Sequence, residues 1–157
     1  LLITGYNDVN GSNGNNNNNM TLKEYVNQEG KDSGGYEYTP LIIAARNEHF
    51  QIVKYLIEQG EADPNIANSD GENALHLAAI TNRTNTELIQ FLLTHMSLAS
   101  INKKSRAGNT PLDDAYFYNR SPLHQEVIAL LRSKGGKANY FDENGRHVGE
   151  GNGDLNH

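Results

Sequence analysis

Asp113-Asp114 sets two carboxylates side by side, the residue type of general acid–base work. No further polar group is spaced to assist them, so the pair reads as a solvated helix face. Asp142-Glu143-Asn144-Gly145 resembles part of a calcium loop. Registering Gly145 on the glycine of such a loop puts Tyr140 at the first ligand position, where a phenol ring does not coordinate calcium. Lys134-Gly135-Gly136-Lys137 has the look of a phosphate loop, but Leu131 stands where its first glycine belongs and no Ser or Thr follows Lys137. The histidines, His49, His76, His95, His124, His147 and His157, form no i,i+4 pair, which argues against a helical zinc site. No Gly-x-Ser-x-Gly elbow is present, and with no cysteine there is neither a thiolate site nor a disulfide framework. Glycosylation-type triplets begin at Asn10, Asn19, Asn82 and Asn119, as chance gives in so asparagine-rich a chain. Lys103, Lys104 and Arg106 form a small basic cluster, read as a solvated loop with contact to an acidic partner as the alternative. No catalytic residue, metal site, cofactor or small-molecule substrate is expected.

The scaffold for such residues must be thin. The chain has 157 residues, of which 36% are hydrophobic, somewhat few for a thick globular core. A net charge of −6 argues against a general nucleic-acid or anionic-membrane binder. No apolar run approaches the roughly 20 residues of a membrane span. The lack of cysteine fits a reducing, intracellular and cytoplasmic setting. The chain opens on Leu1-Leu2 rather than methionine, so its true N-terminus is expected upstream.

Internal repetition decides the architecture. Thr39 to Ala45 reads T-P-L-I-I-A-A, Asn73 to Ala79 reads N-A-L-H-L-A-A, and Thr110 to Tyr116 reads T-P-L-D-D-A-Y. Pro40 and Ala74 lie 34 residues apart, Ala74 and Pro111 lie 37 apart. Each core is followed by a second apolar block with one-faced helical spacing: Ile52, Val53, Leu56 and Ile57; Leu88, Ile89, Leu92 and Leu93; Val127, Ile128 and Leu131. Gly60 and Gly135 each follow a block and suit the left-handed end of a helix, whereas His95-Met96 demands a different ending. Asn65 to Gly71, Asn102 to Gly108 and Asn139 to Gly145 share one six-residue spacing. Thr39-Pro40, Thr110-Pro111 and Ser121-Pro122 place a capping hydroxyl before a proline, and Thr84 with Glu87 has the spacing of a capping box. The turns between paired helices lengthen from one repeat to the next.

These cores, with their period near 33 residues and T-P-L-H-x-A-like pattern, are similar to the ankyrin repeat family. The resemblance implies an all-α repeat solenoid of helix-turn-helix units joined by β-hairpin-like fingers. It implies that His76 and the turn histidine His49 serve structure, and that Asp after Pro-Leu belongs to the core pattern. Leu1 to Asn10 matches Leu56 to Asn65 at leucine, glycine, aspartate and asparagine. The expected organisation is therefore 1–10, the tail of a preceding repeat; 11–35, an asparagine-rich insertion, largely disordered, with a short helix at 21–27; repeats at 36–69, 70–106 and 107–139; and 140–157, a final finger and frayed tail. Tyr116, in place of a small residue, marks 107–139 as a cap.

The resemblance further implies a non-catalytic module that binds a protein partner across finger tips and exposed first-helix faces. By position those surfaces hold Tyr36, Tyr38, Arg46, Asp70, Glu72, Ile80, Arg106, Asn109, Phe117 and Tyr118. Tyrosine and arginine are the types enriched at binding hot spots. The aromatics are expected to be exposed, with Phe117 and Tyr118 packed under the turn Asn119 to Ser121 as the alternative. The competing reading is a structural spacer joined to a catalytic or targeting domain outside this chain.

Overall fold

The computed structural model describes residues 20–84, 86–118 and 121–149. Among them are eight helices and one two-stranded sheet: α1 (Leu22–Val26), β1 (Gly30–Lys31), β2 (Glu37–Tyr38), α2 (Pro40–Arg46), α3 (Phe50–Glu58), α4 (Ala74–Thr81), α5 (Glu87–His95), α6 (Leu98–Ile101), α7 (Pro111–Phe117) and α8 (His124–Ser133). The first helices α2, α4 and α7 stand side by side, α4 in the middle, and α3, α5 and α8 pack behind them in the same order. This is a stacked helix-pair solenoid.

Capping explains where the first helices begin. Thr39 and Thr110 accept from the N–H groups of Ile42 and Asp113, both at 3.2 Å, and a proline follows each, where a missing N–H costs nothing. Asn73 accepts from Leu75 and His76 in the same way. Two expected caps fail. Thr86, not Thr84, precedes α5, and its hydroxyl turns to Glu126 of α8 at 2.9 Å instead of capping its own helix. Ser121-Pro122 forms a turn, Ser121 accepting from Leu123, and α8 starts only at His124.

Packing follows from the small residues. Every residue from Ala74 to Ala79 is buried, because α4 is covered by α2 and α7 on its flanks and α5 behind. Ala44, Ala45, Ala78, Ala79 and Ala115 let these helices approach closely, while Val53, Ile89, Leu92, Val127 and Leu131 fill the layer between. Ile52 departs from its block: it is 51% exposed, on the outer repeat, where no further helix pair among the described residues precedes α2 and α3. Leu88 and Val127, at the matching positions, are buried. Tyr116 is half-buried, stacked on Phe141 at 4.7 Å beneath the guanidinium of Arg132.

The helix ends show one refinement. Gly135 is left-handed (φ 83°), as its position suggested, but in the first repeat that conformation falls on Glu61 (φ 56°). Gly60 is needed for a different reason: a Cβ there would lie 2.9 Å from the Leu56 carbonyl oxygen. After α5, Met96 is extended and Ser97 caps the extra short helix α6.

Four fingers repeat one turn. Asp32, Asn68, Ser105 and Asp142 each donate their N–H to the carbonyl four residues on, at 2.8–2.9 Å, and Gly35, Gly71, Gly108 and Gly145 close the turns with φ between 73° and 83°. The side chains of Asp32, Asn68 and Asp142 each accept two further backbone N–H groups. Asp142, whose carboxyl these bonds hold below its usual range, is thus a turn residue. Among the described residues no cluster suited to a metal ion is found.

Asn27 takes a role the sequence assigned elsewhere. Its Oδ1 accepts from Asp63 N–H (2.7 Å), as Asn65 accepts from Ser97 and Asn102 from Lys137. Thr21 and Glu24 form a reciprocal capping box on α1, and β1 pairs with β2, so the first finger draws on residues before 36. The expected repeat tail at 1–10, the tract Asn15 to Asn19 and the end from 150 lie outside the described residues.

Candidate partner-docking surface

Successive units are locked together by polar side chains at the start of α4 and of α7. His76 Nδ1 accepts from Asn73 N–H, which leaves Nε2 to donate to the Asn109 carbonyl of the next finger at 3.1 Å. Asn73 Nδ2 donates to the Ser100 carbonyl at 2.8 Å. Burial pushes His76 down to about 4, its bonds to backbone carbonyls only partly opposing, so it is a neutral structural group. His49, by contrast, is exposed, and its ring plays no such part. One unit later Asp113 does the work of His76. Its carboxylate accepts from Thr110 N–H and hydroxyl and from the N–H groups of Asn139 and Tyr140, at 2.8–3.0 Å. The Lys137 carbonyl, 2.7 Å from Thr110 Oγ1, shares that hydroxyl's single proton with the carboxylate.

Asp113 and Asp114 are therefore not a solvated face; they are 0% and 3% exposed. The cause lies in the stacking, which brings a finger down on Asp113 and leaves Asp114 beside Asn109 (3.0 Å). Burial raises the Asp114 carboxyl to about 7; the Asn109 amide opposes this, and the Glu72 and Asp113 carboxylates reinforce it.

The ten positions expected to meet a partner come together mostly in pairs. At the tips, Arg106 donates its N–H to the Asp70 carbonyl at 2.7 Å and its guanidinium meets the Asp70 carboxylate at 3.4 Å. Glu72 is partly buried and accepts from Asn68, and Asn109 is held between His76 and Asp114. Tyr36 stands 55% exposed, but Tyr38 is only 8% exposed. Its ring lies beside that of Tyr36, with centroids 6.4 Å apart, but reaches into the core, and the Arg46 guanidinium covers it at 5.6 Å. Phe117 (37% exposed) leans on Phe141 at 4.8 Å and on Tyr140 and His147 of the following finger; the turn at Asn119 to Ser121 lies partly outside the described residues. Ile80 and Tyr118 share a cleft with Asn82, Arg83, Pro122 and His124. The last four carry no signal in the sequence, because two separate segments meet there. Burial pushes His124 below the ordinary imidazole range, the Ala115 carbonyl weakly opposing.

A rigid stack of helix pairs with fingers pinned by backbone bonds and half-exposed aromatics along them is a scaffold for contact with another macromolecule. Comparison with known proteins names the scaffold. The family model described as ankyrin repeats (3 copies) matches residues 12–95 and again 61–142, and the chain belongs to the ankyrin repeat family. It is similar to an NAD-dependent deacetylase, sir2B, of Dictyostelium discoideum (33% identical over 94 residues, 60% of this chain and 12% of the relative). It is also similar to the human transient receptor potential cation channel subfamily A member 1 (32% over 102 residues, 65% and 8%). A third relative is a putative ankyrin repeat protein, FPV031, of fowlpox virus (34% over 110 residues, 69% and 30%). The chain thus spans less than a third of the length of each of these relatives. Ankyrin repeats generally mediate protein–protein interaction, and the family is typically non-catalytic. Among the described residues no helix is long and apolar enough to cross a membrane.

Proposed function

We propose that this chain is a docking module that holds a protein partner along its finger tips and the outward C-terminal ends of α2, α4 and α7. The observation that carries the reading is the exposure of Tyr36 (55%), Tyr118 (42%) and Phe117 (37%) on elements whose backbones are fully engaged in turns and helices. Large apolar groups held rigidly in water suit a surface that another protein covers, and their ordering cost is already met before binding. Tyr36, Arg46, Asp70, Ile80, Arg106, Asn109 and Tyr118 supply the contacts; Glu72, Phe117 and the edge of Tyr38 shape their surroundings.

The test is affinity capture with the longer protein that contains this chain, comparing the natural sequence with alanine at Tyr36, Arg106 and Tyr118. Each is exposed, so folding is expected to survive. Loss of the captured protein supports the docking reading. Capture undiminished by all three changes favours the spacer, a role in keeping with the small share of each relative that the chain covers.

A further inference from the structure

Nitrogens shielded from water are bonded in nearly all folded proteins, since each orphan costs roughly 1–3 kcal/mol. Two shielded side chains here fall short of that: Nδ2 of Asn82 has no partner, and neither ring nitrogen of His124 makes a well-formed bond, although the Ala115 carbonyl draws on the ring. The two side chains are 4% and 1% exposed, and both line the cleft between the C-terminal end of α4 and the start of α8. Two under-satisfied side chains in one place point to an occupant. Its volume, about 340 Å³, falls at the small end of ligand clefts.

The chemistry of the wall selects the occupant. The Asn82 amide nitrogen and the neutral His124 ring offer N–H groups, and Arg83 adds an exposed guanidinium that forms no ion pair among the described residues. The Glu48 carboxylate lies nearby but is bonded to the Arg83 backbone N–H. Ile80, Tyr118 and Pro122 give apolar contact beside these donors. Donors in excess, one cation among the described residues and a greasy wall match an anionic acceptor on a short aliphatic stem.

We propose that this cleft receives a glutamate side chain from an acidic segment of the partner. The inference rests on the protein-binding reading above and adds the chemistry recognised at one point of it. The carboxylate meets Arg83, and a turn of the Asn82 amide or the His124 ring about its last side-chain bond brings an N–H to the second oxygen. The methylenes lie against Ile80 and Tyr118.

The probe is N-acetyl-glutamate N-methylamide, added to the ¹⁵N-labelled chain. NMR follows the Asn82 amide, the Arg83 Nε and the His124 ring. Saturable shifts confined to these groups are expected, with binding roughly tenfold weaker for the glutamine analogue, which lacks the charge. Arg83→Gln, an exposed change that spares the fold, weakens the glutamate probe by about the same factor. Shifts that never saturate, equal shifts with the lysine analogue, or indifference to Arg83→Gln overturn the proposal. None of these outcomes bears on the alanine variants of Tyr36 and Arg106, which lie outside this cleft and test the docking reading by themselves.

Discussion

Asp114 offers the sharpest quantitative test. Replacing it with asparagine keeps the size of the side chain and an oxygen able to accept from Asn109, while removing the charge that burial disfavours. In the folded chain this carboxyl titrates at about 7, against 3.8 for the unperturbed group. Because the folded value is raised, its favourable contribution is full below the unfolded value and is lost as pH climbs through the folded one. A rise of about three units at roughly 1.36 kcal/mol each sets a ceiling of about 4 kcal/mol at alkaline pH. The asparagine variant escapes that loss. It should match the parent within about 1 kcal/mol at acid pH and exceed it by about 2–4 kcal/mol near pH 8. His76 moves the opposite way, its stabilising effect present above the unfolded imidazole range and lost as pH falls through about 4. It is common to both proteins and cancels in the difference. Urea unfolding at about pH 4.5, 6 and 8 reads the difference directly, provided the slopes agree. A gap that is the same at all three values would falsify the reasoning, for it would mean the substitution acts through shape and not charge.

Other perturbations probe other contacts. Leu92→Ala, at a fully buried site between the helix layers, should cost about 2–5 kcal/mol in urea unfolding, and a melting point shifted by under about a degree would show that Leu92 bears no packing. Asp113→Ala strips the acceptor from the N–H groups of Thr110, Asn139 and Tyr140, and should cost about 3 kcal/mol or more. Amide exchange should quicken most at Asn139 and Tyr140; unchanged protection there would contradict the role given to the carboxylate. Gly71→Ala places a Cβ at φ 76° and 3.2 Å from the Lys104 carbonyl oxygen, so a loss of about 1–2 kcal/mol is expected, and neutrality would mean the turn can relax.

The sequence disclosed whatever depends on spacing within one unit. Thr39-Pro40, Thr110-Pro111 and the glycines at 71, 108 and 145 announce the cores and turns because their local backbone needs those residue types. What depends on neighbouring units stayed hidden. Thr84 and Glu87 have capping-box spacing, yet the hydroxyl that matters is Thr86, drawn away by Glu126 forty positions on. Asp113 and Asp114 look like surface residues until a finger closes over them. Asn27 escaped notice because Gln28 and Glu29 break the six-residue spacing of the other fingers. Of the docking surface, the finger and helix positions could be placed by alignment, but exposure could not: Tyr38 turns inward and Ile52 outward. The Asn82–His124 cleft has no pattern along the chain at all.

The bonds from Asp113 to Asn139 and Tyr140 carry a practical lesson for anyone trimming this molecule. Counting by sequence, one would cut after a second helix, near Gly136. Such a cut strands the carboxylate of the last unit among groups that no longer answer it. The natural place for the scissors is past the following hairpin, so that every helix pair retains the loop written after it.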